Sequence, residues 1–523
     1  MEMLKVTTFN LVDECWIPVI KNDWQQAEIS LVELFQTWET VREIQADNPP
    51  TTLAIHRFLL AILHRAYQGP KNVDHWEEIQ LDNGKGAIAY LEQWRDRFEL
   101  LHPEHPFMQD AGITKEYAGD VYLAHVLHGN NTSTVFCHDH QWSNSSLSIP
   151  EAARLVLRLH NFDTGGRKTG ATESASVLPM MDAANVLVRG ENLFETLLLN
   201  LIEYDPEREK PSVVVGKDIP SWERSREKPK ERIPAGYIDY LTYQWRRVKL
   251  FVQDNQVLRV ALHPGDRLPR DISTSQWECG IAYVKTKKGL MTVRLNLSRS
   301  LWRDSAVFLQ SADETSNCPR ILEWVATLKA EEDLLGSNIY LQILGLNVDN
   351  AKPLDWTGQL FAAPLIYLKN KNLWQTLSRA ITIAEEHQQI FRSFRGSPYH
   401  MLAEVLKNND ASSFAGTLDG ESRYWAALDR TFQELLQALP NDKTEDGNGI
   451  TYGSTILPKW TETVQKAARD AFTDSIVSIR NYEARAKALR ALQWKLADLR
   501  LTPVEREERK AKAKSKKKEK VSI

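Results

Sequence analysis

Hydrophobic positions along this chain fall into two regimes. Up to about Asn370, short apolar runs alternate with polar stretches bearing Pro and Gly; beyond it, apolar residues recur at helical spacing throughout. In the first regime Thr8–Ile20 reads as a strand interrupted by Pro18, which predicts an edge position. Segments 29–42 and 51–67 read as amphipathic helices, the second with a wide stripe of Leu53, Ile55, Phe58, Leu59, Ile62 and Leu63, and 88–98 as a further helix. The two prolines of Leu101-His-Pro-Glu-His-Pro-Phe-Met-Gln109 forbid a helix and predict a stiff, extended connector. Residues 183–190 predict a strand and 192–201 a helix, whereas 205–232 is polar and charged, a linker or excursion. Residues 237–251 are rich in β-formers. Further β-prone runs cover 256–262, 280–284, 290–295 and 339–348, with Lys285, Lys287 and Lys288 at a hairpin tip and a turn over 349–353.

In the second regime Leu373, Leu377, Ala380 and Ala384 share one face, as do Leu489, Leu492, Leu496 and Leu499; segments 423–439 and 460–479 lie between them. The economical architecture is an antiparallel four-helix bundle whose Met and aromatic residues are core. The fold class expected is therefore α+β. A mixed N-terminal domain with irregular loops and small sheets (1–370) precedes a four-helix bundle (371–502) and a disordered basic tail (503–523).

With 523 residues, 42% hydrophobic and 26% charged, the chain has an ordinary globular composition. No apolar run is long enough to span a bilayer, and no signal-peptide pattern opens the chain. Cys15, Cys137, Cys279 and Cys318 are scattered without a CxxC pair, so the expected compartment is a reducing cytoplasm. Charge changes the picture more. From Arg506 to the end, nine Lys/Arg stand against three Glu, a net +6; the total being −4, the rest of the chain carries about −10. Any nucleic-acid surface on the folded body must then be a local patch. The tail suits either non-specific phosphate contact or a solubilising end.

Asn161-Phe-Asp-Thr-Gly-Gly-Arg-Lys-Thr-Gly170 is the stretch richest in candidate chemistry. It follows a predicted helix started by Pro150 and Glu151 and patterned by Leu155, Val156 and Leu159. Gly165 and Gly166 can expose bare backbone, and Arg167, Lys168 and Thr169 set two cations and a hydroxyl beside it, an arrangement suited to a polyanion. A solvated turn after a helix is the alternative. It is no Walker A loop, because Arg167 separates Gly166 from Lys168 and position 161 is Asn. His102, His105, His125, His128, His138 and His140 invite a metal reading, but no HExxH or Cys pair completes a set, and turn-capping or packing roles compete. Residues 128–148 form a long Asn/Ser/Thr/His-rich loop in which Phe136 is either a buried anchor or a base-stacking wedge.

Four features together resemble the large subunit of the type I-E CRISPR Cascade effector, the CasA family: Asn10-Leu-Val-Asp-Glu-Cys-Trp-Ile-Pro-Val19, Glu104-His-Pro-Phe-Met-Gln109, the glycine loop followed by Val188-Arg-Gly190, and the length with its helical end. The resemblance implies a non-catalytic subunit that reads the protospacer-adjacent motif of double-stranded DNA through the minor groove. It further implies help in opening the duplex and stabilising the R-loop, and docking of a helicase–nuclease. The implied partners are other Cascade subunits and guide RNA; no cofactor, metal or membrane is implied. Carried over by position, Gly165 and Gly166 match the motif-reading loop, with Arg167 and Lys168 as the cations beside it. Phe136 and His138 match the long loop beside it, with His in place of an Asn. Asn350 matches the polar residue beside the family's strand wedge, whose glutamine falls on Ala351, next to Lys352. The family's lysine finger has no clean counterpart; Arg267 and Arg270 are nearest, and arginine suits a narrow minor groove. The competing class is a metal-dependent nuclease or hydrolase built on the histidine-rich window.

Overall fold

The computed structural model describes residues 8–114, 119–120, 146–167, 173–181, 183–208, 214–224, 228–286, 289–294, 301–310, 318–331, 337–349, 352–446 and 449–500. The chain clusters into two compact units, Met1–Arg299 with Gln310–Leu368, and Ser300–Leu309 with Lys369–Ile523. Both helices and strands are present, an α+β fold.

The first unit opens with strands β1 (Ile17–Lys21) and β2 (Gln26–Ile29), helix α1 (Leu31–Thr37) and β3 (Val41–Ile44). The sheet order is β2-β1-β3, so β1 is central and not an edge strand. Pro18 is tolerated because its carbonyl accepts from Gln45, one residue past the end of β3, where the missing donor breaks no ladder bond. The expected 29–42 helix is shorter than its pattern. Ser30 caps α1 by accepting from the Glu33 amide, and Val41 enters β3.

Helix α2 (Pro49–Tyr67), capped by Asn48, is buried along nearly its whole length, so that polar positions such as His56, Arg57 and His64 are covered along with the apolar stripe. Helices α3 (Val73–Asp82) and α4 (Lys85–Gln93) follow. The two-proline connector is not helical, but it runs as bends and turns rather than as an extended stretch, with the Gln109 amide donating back to the Pro106 carbonyl. Its Phe107, 1% exposed, stacks on Phe98 at 5.5 Å between ring centroids and meets Phe58 edge-on at 5.5 Å.

Strands β4 (Gly119–Asp120) and β5 (Leu147–Ser148) lead to α5 (Ile149–Asn161), which starts in a Ser148–Glu151 capping box. Strands β6 (Gly166–Arg167) and β7 (Ser174–Ala175) pair antiparallel. Next come β8 (Asn185–Arg189), α6 (Leu193–Asn200) and α7 (Tyr237–Leu241). The β-rich run from Tyr237 thus begins as a helix, because the Asp218 carboxylate accepts from the Ile238 and Asp239 amides and caps it from a distant loop. Of the linker or excursion expected over 205–232, the described part is an excursion packed on the unit: Asp218 and Trp222 are buried.

The run continues as β9 (Arg246–Gln253), which pairs with β10 (Gln256–Pro264); β10 also pairs with β4 and β5. Strands β11 (Tyr283–Thr286) and β12 (Gly289–Thr292) form the basic hairpin. After α8 (Ser305–Phe308) and α9 (Arg320–Glu331), β13 (Asn338–Asp349) and β14 (Lys352–Pro364) make a long ribbon joined to β8 in the order β14-β13-β8.

The second unit holds α8 and α10 (Lys371–Gln388), α11 (Pro398–Val405), α12 (Ala411–Gly416), α13 (Gly420–Ala438), the hairpin β15 (Lys443–Asp446)–β16 (Gly449–Tyr452), α14 (Ile456–Ser475) and α15 (Tyr482–Leu499). Its core is aromatic: Trp302 stacks on Phe432 at 4.2 Å, and its indole N–H donates to Asp429 at 2.7 Å. Not every helical aromatic is core, however: Tyr482 is 81% and Trp494 58% exposed.

Candidate nucleic-acid interface

The glycine loop is a short hairpin, and the motif Glu104–Gln109 helps to aim it. Met108 sits at φ +49°, and its carbonyl meets His160 Nε2 at 2.9 Å near the end of α5. Gln109 donates to the Leu100 carbonyl at 2.7 Å and accepts from the Leu250 amide at 2.9 Å, tying this turn to β9. The segment is therefore architectural. It fixes where α5 ends, and the hairpin begins there.

The two glycines have different tasks. A Cβ at Gly165 would lie 3.0 Å from the Val177 side chain and 3.2 Å from the Ala175 carbonyl, so its bareness lets the hairpin arms close. Gly166 has φ +108° and open space within 4 Å of where a side chain would start. Its backbone is exposed, as is Arg167.

Arg246, at the start of β9, holds both arms of this hairpin. Its Nε donates to Asp163 Oδ2 at 2.5 Å, and its Nη2 donates to the Ser176 carbonyl at 2.6 Å and the Thr164 carbonyl at 3.3 Å. Both side chains of the pair are nearly inaccessible, 1% and 6% exposed. Sequence reasoning missed this clamp, since an Arg inside a β-prone run shows no sign of its distant carboxylate.

Arg267 and Arg270 occupy the loop after β10. Gly265 is obligatory there, because a Cβ would fall 2.1 Å from the Gln244 carbonyl. The Arg267 amide donates to the Lys230 carbonyl at 3.2 Å, and its own carbonyl accepts from the Arg232 amide at 2.9 Å. Asp266 accepts from Arg232 Nε at 2.5 Å, so the loop is anchored on both sides. The Arg267 side chain stays 65% exposed with Glu231 at 3.7 Å, a contact that water screens; Arg270 is exposed as well.

The β7 arm, Arg267 and Arg270 border one groove of about 1360 Å³, which Lys228, Lys230 and Arg247 also line. Arg246 and Arg247 are neutralised by Asp163 and Asp110, and Glu104, Glu173 and Glu231 reach the same groove. Its charge is nearly balanced, which suits positioning on a polyanion better than long-range capture.

Gly166 and Arg167 pair with Ala175 and Ser174, and that partner arm lines the groove that Arg267 and Arg270 also line. Lys168, Phe136, His138, Asn350 and Ala351 lie outside the described residues. Lys352 opens β14 and is paired with Asp349 across the end of the β13–β14 ribbon. Among the described residues, no group of three His, Cys, Asp or Glu could hold a metal ion. Of the histidine window, His102 caps a turn: its Nδ1 accepts from the Glu104 and His105 amides at 3.1 and 2.9 Å. His125, His128 and His140 fall outside the described residues.

A model of the family described as CRISPR-associated protein Cse1 matches residues 10–471. The chain is 29% identical to CRISPR-associated protein CasA/Cse1 of Thermus thermophilus, over 89% of this chain and 91% of that protein. Among solved structures it resembles Thermus thermophilus CasA (Cse1), with a TM-score of 0.75, 26% identity and coverage of 94% of this chain and 98% of the other. Thermobifida fusca Cse1 is similar, with a TM-score of 0.75, 25% identity and coverage of 94% and 97%. A chain of a CRISPR RNA-guided surveillance complex shares the fold at a TM-score of 0.76 and 20% identity, over 94% of this chain and 99% of that one. The chain belongs to the CRISPR-associated Cse1 family, the CasA family that its Glu104–Gln109 segment and glycine loop resemble.

Proposed function

We propose that this chain is the subunit of a type I-E Cascade complex that reads the protospacer-adjacent motif from the minor groove. It works with other Cascade subunits and guide RNA on target double-stranded DNA, helps to unwind the duplex, stabilises the R-loop and docks the helicase–nuclease. The observation that carries this reading is the glycine hairpin: exposed, free of side chain at Gly166, and clamped by a buried arginine at the edge of the groove that Arg267 and Arg270 border. A rigid bare backbone enters a groove about 6 Å wide where a side chain would clash, and reads its degenerate code. By their match to the family, Ala351 with Lys352 stands at the strand wedge with Asn350 beside it, and Phe136 and His138 belong to the long loop beside the motif. The division of labour follows the domains, 1–370 for DNA recognition and the four long helices α10, α13, α14 and α15 as a four-helix bundle, followed by the basic tail.

Gly166→Asp tests this. The positive φ strains any side chain by about 1–3 kcal/mol, locally and at the surface, and the carboxylate faces phosphates. The assembled complex should keep its fold and lose affinity for motif-bearing duplex. Parental affinity for that duplex would show the hairpin to be idle. The subunit binds and remodels DNA without cutting it; cleavage of duplex by the isolated chain with a divalent cation would overturn that part.

A further inference from the structure

The root of the glycine hairpin is held by a buried arginine other than Arg246. Asn161 is the last residue of α5 and stands four residues before Gly165. Both ends of its amide are engaged: Nδ2 donates to the Leu157 carbonyl at 2.9 Å, and Oδ1 accepts from Arg57 Nε at 2.9 Å. Arg57 comes from the middle of α2 and is buried. Its Nη1 donates to both oxygens of the buried Glu278, at 2.8 and 3.1 Å. That carboxylate is fixed in turn by the Tyr240 hydroxyl at 3.1 Å and the Gly280 amide at 3.2 Å. A buried ion pair is a poor device for stability alone, because packed apolar side chains of similar volume do as well or better. What a planar guanidinium adds is direction: fixed through Nη1 on Glu278, it leaves its Nε one bearing, and Asn161 sits on that bearing.

We propose that Arg57 and Asn161 are positioning residues for motif reading, which set the angle at which the glycine hairpin leaves α5. The inference rests on the hairpin being the reader. Arg246 fixes the two arms of the hairpin to β9, and Arg57 fixes its root to α2; the two holds share no residue. Aim matters for base edges, because hydrogen bonds weaken steeply with angle, whereas phosphate contacts carry no sequence information. Arg57 is buried and acts only through Asn161, so its effect falls on sequence preference and not on the attraction of the surface for a polyanion.

The test uses the assembled complex with a guide-matched duplex library randomised at the motif positions, and reads the enrichment of each sequence among the bound molecules. Asn161→Leu removes the acceptor that Arg57 holds, at a part-buried position. Arg57→Lys keeps a charge against Glu278, but a single ammonium does not span from Glu278 to Asn161 as the planar fork does. Each should lower the preference for the best motif over the library mean by about tenfold, the worth of one base contact. The double variant should lose no more than either single one, because both break the same bond. Unchanged preference in both single variants, losses that add in the double variant, or an equal loss of affinity on every sequence, as a role in stability alone would give, would each overturn the proposal. Gly166→Asp measured in parallel separates the inference from the reading beneath it. Preference lost in Gly166→Asp but kept in Asn161→Leu removes the positioning role alone; preference kept in Gly166→Asp removes the hairpin as reader, and the positioning role with it.

Discussion

Gly166 and Arg267 show how little a single residue has to supply when its neighbours hold it. Gly166 gives only an absence, room for another molecule at φ +108°, and Arg267 gives an exposed guanidinium on a backbone pinned to residues 230–232. The local ion pair does not hold that guanidinium, since Glu231 stands at 3.7 Å with more than half of each side chain in water. Arg267→Ala and Arg270→Ala should therefore leave stability within about 0.5 kcal/mol of the parent, while each costs about 1–3 kcal/mol of binding if it reaches a base edge. Competition between duplexes carrying different motifs decides the role. A loss confined to one motif identifies base reading, and an equal loss on every duplex identifies phosphate contact.

Elements were legible where the pattern was long and local. The apolar stripe of α2, the capped start of α5 and the helices beyond Asn370 stand where periodicity put them. Misreadings share one cause, tertiary partners that override local preference. Pro18 sits in a central strand because its defect falls past the end of β3, and Tyr237–Leu241 is helical because Asp218 caps it. The glycine hairpin was half legible. Gly165 and Gly166 announced a bare turn, but its rigidity comes from Arg246, which is 70 residues away in sequence from Ser176 and 83 from Asp163, and no periodicity encodes that. The clamp predicts a definite asymmetry. Asp163→Ala leaves a buried guanidinium without its carboxylate and should cost about 3–5 kcal/mol, whereas Asp163→Leu with Arg246→Met removes both charges of the pair and should recover part of that stability, the buried Arg158 still losing the Asp163 charge that favours it. Denaturant unfolding of the three proteins checks this; a double variant no more stable than Asp163→Ala would mean that the pair's shape, rather than its charge balance, matters.

At the scale of the molecule, acid should weaken the fold before its carboxylates titrate. His56 and His64 are buried on α2, each with Nδ1 2.8 Å from a carbonyl, of Thr52 and Gly69 respectively, and each with Nε2 buried and unbonded. Burial lowers both to about 4, the Arg189 charge adding to the effect at His56 and the carbonyl contacts opposing it at both. In the unfolded chain both titrate near 6.5, so below that pH the unfolded state takes up protons that the fold refuses. Their contribution is intact above about pH 6.5 and is lost as pH falls toward 4, by about 2 kcal/mol per histidine at pH 5. Asp218, raised by burial, has the opposite slope, one group against two. The unfolding midpoint in urea should therefore fall between about pH 7.5 and pH 5, where Asp and Glu in water stay ionised. A midpoint that holds constant across that interval would mean that His56 and His64 accept protons inside the fold, with water reaching the length of α2 that now excludes it.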